Sequence, residues 1–179
     1  VHSYAPAEKQ VNFAAFHETI DLAVEALAPG GRLLVRDGVM PNRPDDQTML
    51  VAPNMRAVAL VERYLELVPF EDLKQVRRFS KNAWTCSRNT AAEILLTVNW
   101  GEQSLPRESQ ERYMLATLDG YADLVVHDRP LTLLHSESYV QQGYTEHLTI
   151  PPNRWMLSEG NATSWFPDTN AIWVFEKTD

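Results

Sequence analysis

Apolar residues recur at helical spacing in two stretches of the chain and cluster into strand-like runs elsewhere. Between Asn12, a good N-cap residue, and Ala28 they stand three or four residues apart, which predicts an amphipathic helix that packs on a sheet. The same spacing from Met55 to Val68 predicts a second helix that ends before Pro69. Residues 48–52, 131–140, 143–150 and 171–176 are β-prone and predict strands.

The stretch 27–41, with the sequence LAPGGRLLVRDGVMP, is the best defined local feature. Its Pro-Gly-Gly turn ends a helix, because glycine takes the left-handed conformation and proline cannot continue a helix. Residues 33–35 are all apolar, without alternation of apolar and polar positions, which predicts a strand covered on both faces, as in a parallel sheet. Arg36 and Asp37 follow at the carboxyl end of this strand, where open α/β sheets bind ligands. They are therefore predicted to contact a substrate.

The segment from Asn12 to Met40 resembles the late part of the Rossmann-like domain of class I S-adenosylmethionine-dependent methyltransferases. In that family a helix, an L-x-P-G-G turn and a strand ending in an acidic residue follow the methyl-donor site. Residues 131–140 and 171–176 are similar to the antiparallel sixth and seventh strands of the same sheet. The resemblance implies S-adenosylmethionine as cofactor, held by residues mostly outside this chain.

The glycine-rich donor loop of that family has no counterpart here, because no two of the seven glycines stand in a G-x-G arrangement. The resemblance therefore implies a C-terminal half that needs the N-terminal donor-binding half of the same protein as its partner. A sheet lacking its first strands would expose an edge, which also predicts a homodimer or strand exchange.

Chain length between strands predicts the domain organisation. About ninety residues separate Gly38 from the next convincing strand near Leu131, which is too long for one crossover. The expected fold class is thus α/β. Residues 1–47 and 126–179 would form a partial Rossmann-like sheet with a flanking helix and a C-terminal antiparallel strand pair. Residues 48–125 would form an inserted helical subdomain that recognises the substrate.

Further candidate substrate-binding residues lie in two polar segments. One is the first loop, which the resemblance places near the donor, although an exposed chain start is an equal alternative. The other surrounds a helix start near Ser104, where acidic residues are also simply favoured by the helix dipole. With the pair at the strand end, the candidates are Ser3, Tyr4, Arg36, Asp37, Trp100, Arg107 and Glu108. No catalytic residue is predicted.

One local basic segment stands out in an acidic protein, and it predicts a phosphate or nucleic-acid patch. Its basic residues are Lys74, Arg77, Arg78, Lys81 and Arg88. Cations with the interleaved aromatic residues Phe79 and Trp84 suit phosphates and stacked bases. A solvated basic surface with Phe79 and Trp84 in a core is the favoured alternative. Just beyond it, Thr90 and Glu93 have the spacing of a capping box, which predicts a helix starting at Thr90.

Composition narrows the function classes. A net charge of −8 and a pI near 5.1 argue against broad binding to nucleic acid or anionic membranes. The single cysteine excludes an internal disulfide and suits a reducing compartment, and no signal-peptide pattern or membrane-spanning run is evident. A cytoplasmic protein without a membrane partner is expected. His135 and His147 have no third ligand at metal spacing, so no metal site is predicted.

Two functions remain as hypotheses. The first is the C-terminal portion of a methyltransferase that contributes recognition of the acceptor, which is either a small molecule or RNA. The second is a non-catalytic α/β module that binds a protein or RNA through the basic segment.

Overall fold

A computed structural model describes residues 4–5, 10–11, 13–150, 153–159 and 166–178 as a mixed α/β protein. Its helices are α1 (Phe13–Glu25), α2 (Met55–Leu67), α3 (Arg88–Val98), α4 (Leu105–Glu108), α5 (Leu118–Val126) and α6 (Gln142–Leu148), with a 3-10 turn at Glu71–Lys74. Its strands are β1 (Tyr4–Ala5), β2 (Gln10–Val11), β3 (Arg32–Asp37), β4 (Gln47–Val51), β5 (Arg77–Ser80), β6 (Ala83–Ser87), β7 (Leu131–Tyr139), β8 (Met156–Ser158) and β9 (Asn170–Lys177).

A three-stranded sheet with the order β3-β9-β7 forms the first layer. The middle strand β9 runs antiparallel to both neighbours, so β3 and β7 are parallel to each other. Helices α1 and α5 bury one face of this sheet, where Phe16, Tyr121 and Trp173 are fully buried. The Tyr121 and Trp173 rings stack with their centroids 4.2 Å apart. Burial of these large rings supplies the apolar area that stabilises the layer.

Strand β3 has the predicted position but different surroundings. The preceding turn forms as expected, with Gly30 at a φ of 75° and its amide bonded to the Lys177 carbonyl. The prediction of a parallel neighbour is wrong for the described residues, because the strand paired with β3 is the antiparallel β9. Burial on both faces is wrong as well, since Leu34 is 64% exposed.

A four-stranded antiparallel sheet with the order β5-β6-β4-β8 forms the second layer, under helices α2 and α3. The predicted insert is therefore not purely helical. The β5–β6 hairpin escaped prediction because every β5 residue is exposed, so no apolar alternation marks this strand. Strand β8 joins this sheet from the C-terminal part of the chain.

Two helices also differ from their sequence signals. The β-prone run 143–150 contains α6, in which Tyr144 and Leu148 are buried one turn apart. Tertiary packing outweighs β propensity there. Helix α3 begins earlier than its capping-box spacing predicts, because the Ser87 hydroxyl accepts the Thr90 amide at 3.1 Å. Glu93 consequently points into the core instead of capping the helix.

Two hydrophobic clusters organise the described residues. One joins α1 and α5 to the three-stranded sheet, and the other joins α2, α3 and α6 to the four-stranded sheet. Helix α5 thus packs on the first sheet, although it lies in the segment predicted as insert. Among the described residues no helix is long and apolar enough to cross a membrane.

Candidate functional site

A cavity of about 550 Å³ opens at the carboxyl end of β3. One side is the sheet wall, which consists of Arg36, Asp37, Gly38, Thr169 and Asn170. The opposite side is the helical wall, which consists of Leu96, Asn99, Trp100, Tyr113, Gln141, Gly143, Tyr144 and His147. This volume is in the range typical of small-molecule sites.

Arg36 is held in one orientation at the cavity by two neutral groups. Its Nε donates to the Tyr139 hydroxyl at 2.8 Å, and its Nη2 donates to Gln141 Oε1 at 2.8 Å. The side chain is exposed, on the face of β3 opposite to the buried Asp37. These two hydrogen bonds therefore fix the orientation of the guanidinium group at the cavity.

Asp37 is buried and stabilises the end of β3. One carboxylate oxygen accepts the Gly38 amide at 2.8 Å, and the other accepts the Tyr121 hydroxyl at 3.0 Å. Burial, followed by the charge of Asp37, raises the pKa of Tyr121 far above its usual range. Tyr121 therefore stays protonated and acts as a permanent hydrogen-bond donor to Asp37.

The two walls meet at Gly38. A Cβ atom at this position would overlap the carbonyl oxygen of Tyr113, so only glycine permits the contact. Two residues further on, the Met40 amide donates to the Ala116 carbonyl at 2.9 Å. The chain after β3 is thus joined to the loop that carries Tyr113.

Glu93 fixes that loop from the core side. Its carboxylate is fully buried and accepts the Tyr113 amide at 3.1 Å and the Met114 amide at 2.8 Å. Burial raises the pKa of Glu93 to about 7, although the two amides and Arg112 favour the ionised form. Arg112 bonds to Asp72 at 2.7 Å on the outer side of this contact.

Two tyrosines give the helical wall its hydroxyl groups. The Tyr113 hydroxyl donates to the buried carboxylate of Glu108, which also pairs with Arg107. Burial and the Glu108 charge raise the pKa of Tyr113 far above its usual range. Burial raises the pKa of Tyr144 to about 12, while a hydrogen bond from Trp100 opposes the rise. Both groups are protonated near neutral pH. The Tyr113 proton is donated to Glu108, whereas the Tyr144 hydroxyl can serve as a donor.

The structure brings three of the predicted substrate-binding residues together, since Arg36, Asp37 and Trp100 all line the cavity. Glu108 is outside the lining but accepts a hydrogen bond from the lining residue Tyr113. The Arg107 side chain is 77% exposed and is also outside the lining. Tyr4 belongs to strand β1, but its side chain is outside the described part, as is all of Ser3. Ligand contact by any of these residues stays a prediction.

The basic segment is largely paired within the chain. Arg78 pairs with Glu62 at 2.6 Å and its guanidinium lies 4.6 Å from the ring centroid of the buried Trp84. Lys74 pairs with Glu71 at 2.8 Å.

Arg88, at the start of α3, forms an ion pair with Glu159. Arg77, Lys81 and the aromatic Phe79 are exposed. This arrangement resembles the predicted alternative of a solvated basic surface, except that Phe79 is outside the core.

Several lining residues have no distinctive sequence signal. Tyr113 follows a short helix that ends at Glu108, and Tyr144 and His147 lie in a run that reads as a strand. The four-residue spacing of Tyr144 and Leu148 is the sequence feature that could have indicated a helix there. Within the described ranges no three His, Cys, Asp or Glu side chains converge as a metal site would require. Burial raises the pKa of the Cys86 thiol to about 12, which makes it a weak nucleophile.

Comparisons with protein-family models, with curated proteins and with solved structures find no match for this chain.

Proposed function

We propose that this chain is the C-terminal portion of an S-adenosylmethionine-dependent methyltransferase and contributes recognition of the acceptor. The observation that carries the proposal is the cavity at the carboxyl end of β3, with Arg36, Asp37 and Trp100 in its lining. The strands β3 and β7, which are parallel to each other, both end at this cavity, at Asp37 and at Tyr139, the partner of Arg36. Open α/β sheets bind ligands at the carboxyl ends of parallel strands.

The three-stranded sheet adds support. Helix α1, the Pro-Gly-Gly turn and a strand ending at Asp37 occur in the order of the methyltransferase resemblance. The two later strands β7 and β9 pair antiparallel, as the resemblance expects of the sixth and seventh strands. In this proposal β3, β7 and β9 are the last strands of a partial Rossmann-like sheet, and the second sheet with α2 and α3 is its insert.

The described residues do not fit the methyl donor by themselves. The glycine at the end of β3, Gly38, is packed against the Tyr113 carbonyl and leaves no space for a ligand on that side. We therefore assign donor binding to the N-terminal half. The present residues orient the acceptor and exclude water, which are contributions that accelerate bimolecular transfer.

The outer edge of β3 is the proposed docking site for the donor-binding half. Leu34 is 64% exposed there, and Val174 lies opposite it on the neighbouring strand. Both edges of this sheet are unpaired among the described residues, but only β7 is protected by an irregularity, between Leu133 and His135. Natural edge strands use bulges and charges to prevent pairing. Strand β3 has no such bulge, and Leu34 stands between Arg32 and Arg36 on its exposed face, so its regular edge is suited to receive another strand.

Calorimetric titration tests the main proposal. We expect the coding sequence before Val1 to contain an acidic-x-Gly-x-Gly loop. The longer protein should bind S-adenosylmethionine, whereas residues 1–179 alone should not. Absence of donor binding by both proteins would contradict the methyltransferase assignment. Donor binding without methyl transfer to any acceptor would leave a binding module in its place.

Two matched leucine variants test the docking edge. Leu34→Lys should prevent association of the chain with the donor-binding half, because a charge would enter the proposed interface. Leu134→Lys on β7 is the control, since this leucine is 46% exposed on the other edge strand. Size-exclusion chromatography with light scattering measures association. Equal behaviour of the two variants would contradict docking at β3, and a dimer of the chain alone that only Leu34→Lys disrupts would assign the edge to a second copy.

The alternative, a non-catalytic module that binds RNA or protein through the basic segment, has less support. Arg78 is paired with Glu62 and stacked on Trp84, which reduces the charge available to phosphates. Retention of the chain on single-stranded RNA at physiological salt would favour this alternative.

A further inference from the structure

The guanidinium of Arg36 favours one class of acceptor. No carboxylate among the described residues lies within ion-pair distance of Arg36, and its two hydrogen-bond partners, Tyr139 and Gln141, are neutral. The carboxylates near the cavity have other partners. Asp37 bonds to Gly38 and Tyr121. Glu108 bonds to Tyr113 and Arg107. Asp37 also lines the cavity, but it is buried on the opposite face of β3, so the exposed guanidinium of Arg36 is the charged group available to a ligand.

The rest of the lining suits an organic body attached to an anionic group. Trp100 is half exposed and presents an indole to the cavity, which provides an apolar, stackable surface. Asn99, Asn170 and His147 add polar groups that can orient a ligand. A guanidinium with fixed orientation binds carboxylate or phosphate through paired hydrogen bonds.

We infer that the cavity binds a small organic acid, with its carboxylate or phosphate on Arg36 and its apolar or aromatic body against Trp100. This inference names the substrate class of the acceptor site in the proposed function, and it rests on that proposal only for the reaction, not for the binding. The anionic group anchors the molecule, so the atom to be methylated belongs to the remainder of the acceptor.

Three aromatic probes test the charge requirement by calorimetry on the 179-residue chain. Benzoate and phenyl phosphate carry the anionic group, whereas benzamide has nearly the shape of benzoate without its charge. Benzoate should bind roughly tenfold more tightly than benzamide, since a hydrogen bond to a charged group is the stronger kind. The phosphate arm reports which anion the guanidinium prefers. Equal affinity for benzoate and benzamide, or binding of none of the probes, would overturn the inference.

Two arginine variants locate the binding. Arg36→Gln should remove the preference for benzoate over benzamide, and Arg36→Lys should retain part of it, because lysine keeps the charge without the planar fork. Arg32→Gln is the matched control, since Arg32 is exposed on the same face of β3 and lies near Glu176, outside the cavity lining. Unfolding curves verify that the variants fold. A preference that survives Arg36→Gln, or falls equally in Arg32→Gln, would overturn the inference.

Donor binding by the longer protein is a separate readout. Selective anion binding without any donor binding would contradict the proposed function and leave this inference intact. Donor binding by the longer protein with no preference for the anionic probes would support the proposed function and contradict this inference.

Discussion

The two walls of the cavity are built on different principles. The sheet wall continues a strand ladder, in which Arg36 stands opposite Ile172 and Asp37 opposite Ala171. The helical wall depends instead on single side-chain contacts, above all the Glu93 carboxylate that accepts the amides of Tyr113 and Met114. A ladder distributes its stability over many bonds, whereas the loop with Tyr113 depends on a few contacts, chiefly those of the buried carboxylates of Glu93 and Glu108. The helical wall is therefore the part of the site that single substitutions should disturb most.

Of the substitutions that test this contrast, Glu93→Ala should cause the largest loss of stability. It removes the acceptor of two backbone amides and leaves a small cavity, which we expect to reduce the free energy of unfolding by about 4 kcal/mol. Urea denaturation measures the loss. Hydrogen exchange should show faster exchange at Tyr113 and Met114 than in the parent protein, with little change along β3. Glu66→Ala is the control, because Glu66 is an exposed partner of Arg63 and should contribute at most about 1 kcal/mol. Similar losses in both variants would contradict the anchoring role of Glu93.

The raised pKa of Glu93 gives the second prediction. Its folded pKa of about 7 exceeds the ordinary value of 4.5, so between these pH values the folded chain retains a proton that the unfolded chain has released. Stability should then fall as pH rises through this window, by about 3 kcal/mol, and change no further above it.

Glu93→Gln removes this titrating group and provides the comparison. Urea denaturation at pH 5 and pH 8 should show a smaller fall for Glu93→Gln than for the parent protein, because all other groups titrate equally in both. The same pH dependence in the two proteins would show that Glu93 does not titrate in this range.

Gly38→Ala tests the junction between the walls. The added methyl group would overlap the Tyr113 carbonyl, so the chain must shift, at a cost of about 2 kcal/mol. Gly143→Ala is the matched control in the same cavity lining, because a Cβ there meets no atom within 4 Å. Alanine within α6 should be neutral or slightly stabilising. Thermal unfolding of both variants measures the difference, and equal melting temperatures would mean that the walls are not in contact at Gly38.

Sequence reasoning reached the sheet wall because its signals are local. The Pro-Gly-Gly turn and the apolar run that follows it place Arg36 and Asp37 at a strand end within a few residues. Trp100 was predicted for a similar reason, as an aromatic residue beside a polar helix start. What the sequence did not reveal was the direction of the neighbouring strand, since an unalternated apolar run does not distinguish a buried parallel strand from an open edge.

Apart from Trp100, the helical wall escaped prediction because its contacts join residues far apart in the chain. Glu93 meets the Met114 amide 21 residues away, and the local spacing with Thr90 suggested a surface cap instead. Helix α6 was hidden by its β-prone residues, whose conformation is decided by burial of Tyr144 and Leu148 against other elements. Such contacts become visible only when the fold is known.

Trp100→Ala should have the smallest effect on stability and still separate binding from folding. Its side chain is 52% exposed, so removing it should change the free energy of unfolding by only about 0.5 kcal/mol. Because the indole faces the cavity, the same change should weaken benzoate binding severalfold through loss of stacking. Phe79→Ala is the control, as this ring is 68% exposed on β5 and absent from the cavity lining. If both variants left benzoate affinity unchanged, Trp100 would be a surface residue, and the helical wall would contribute only polar groups to recognition.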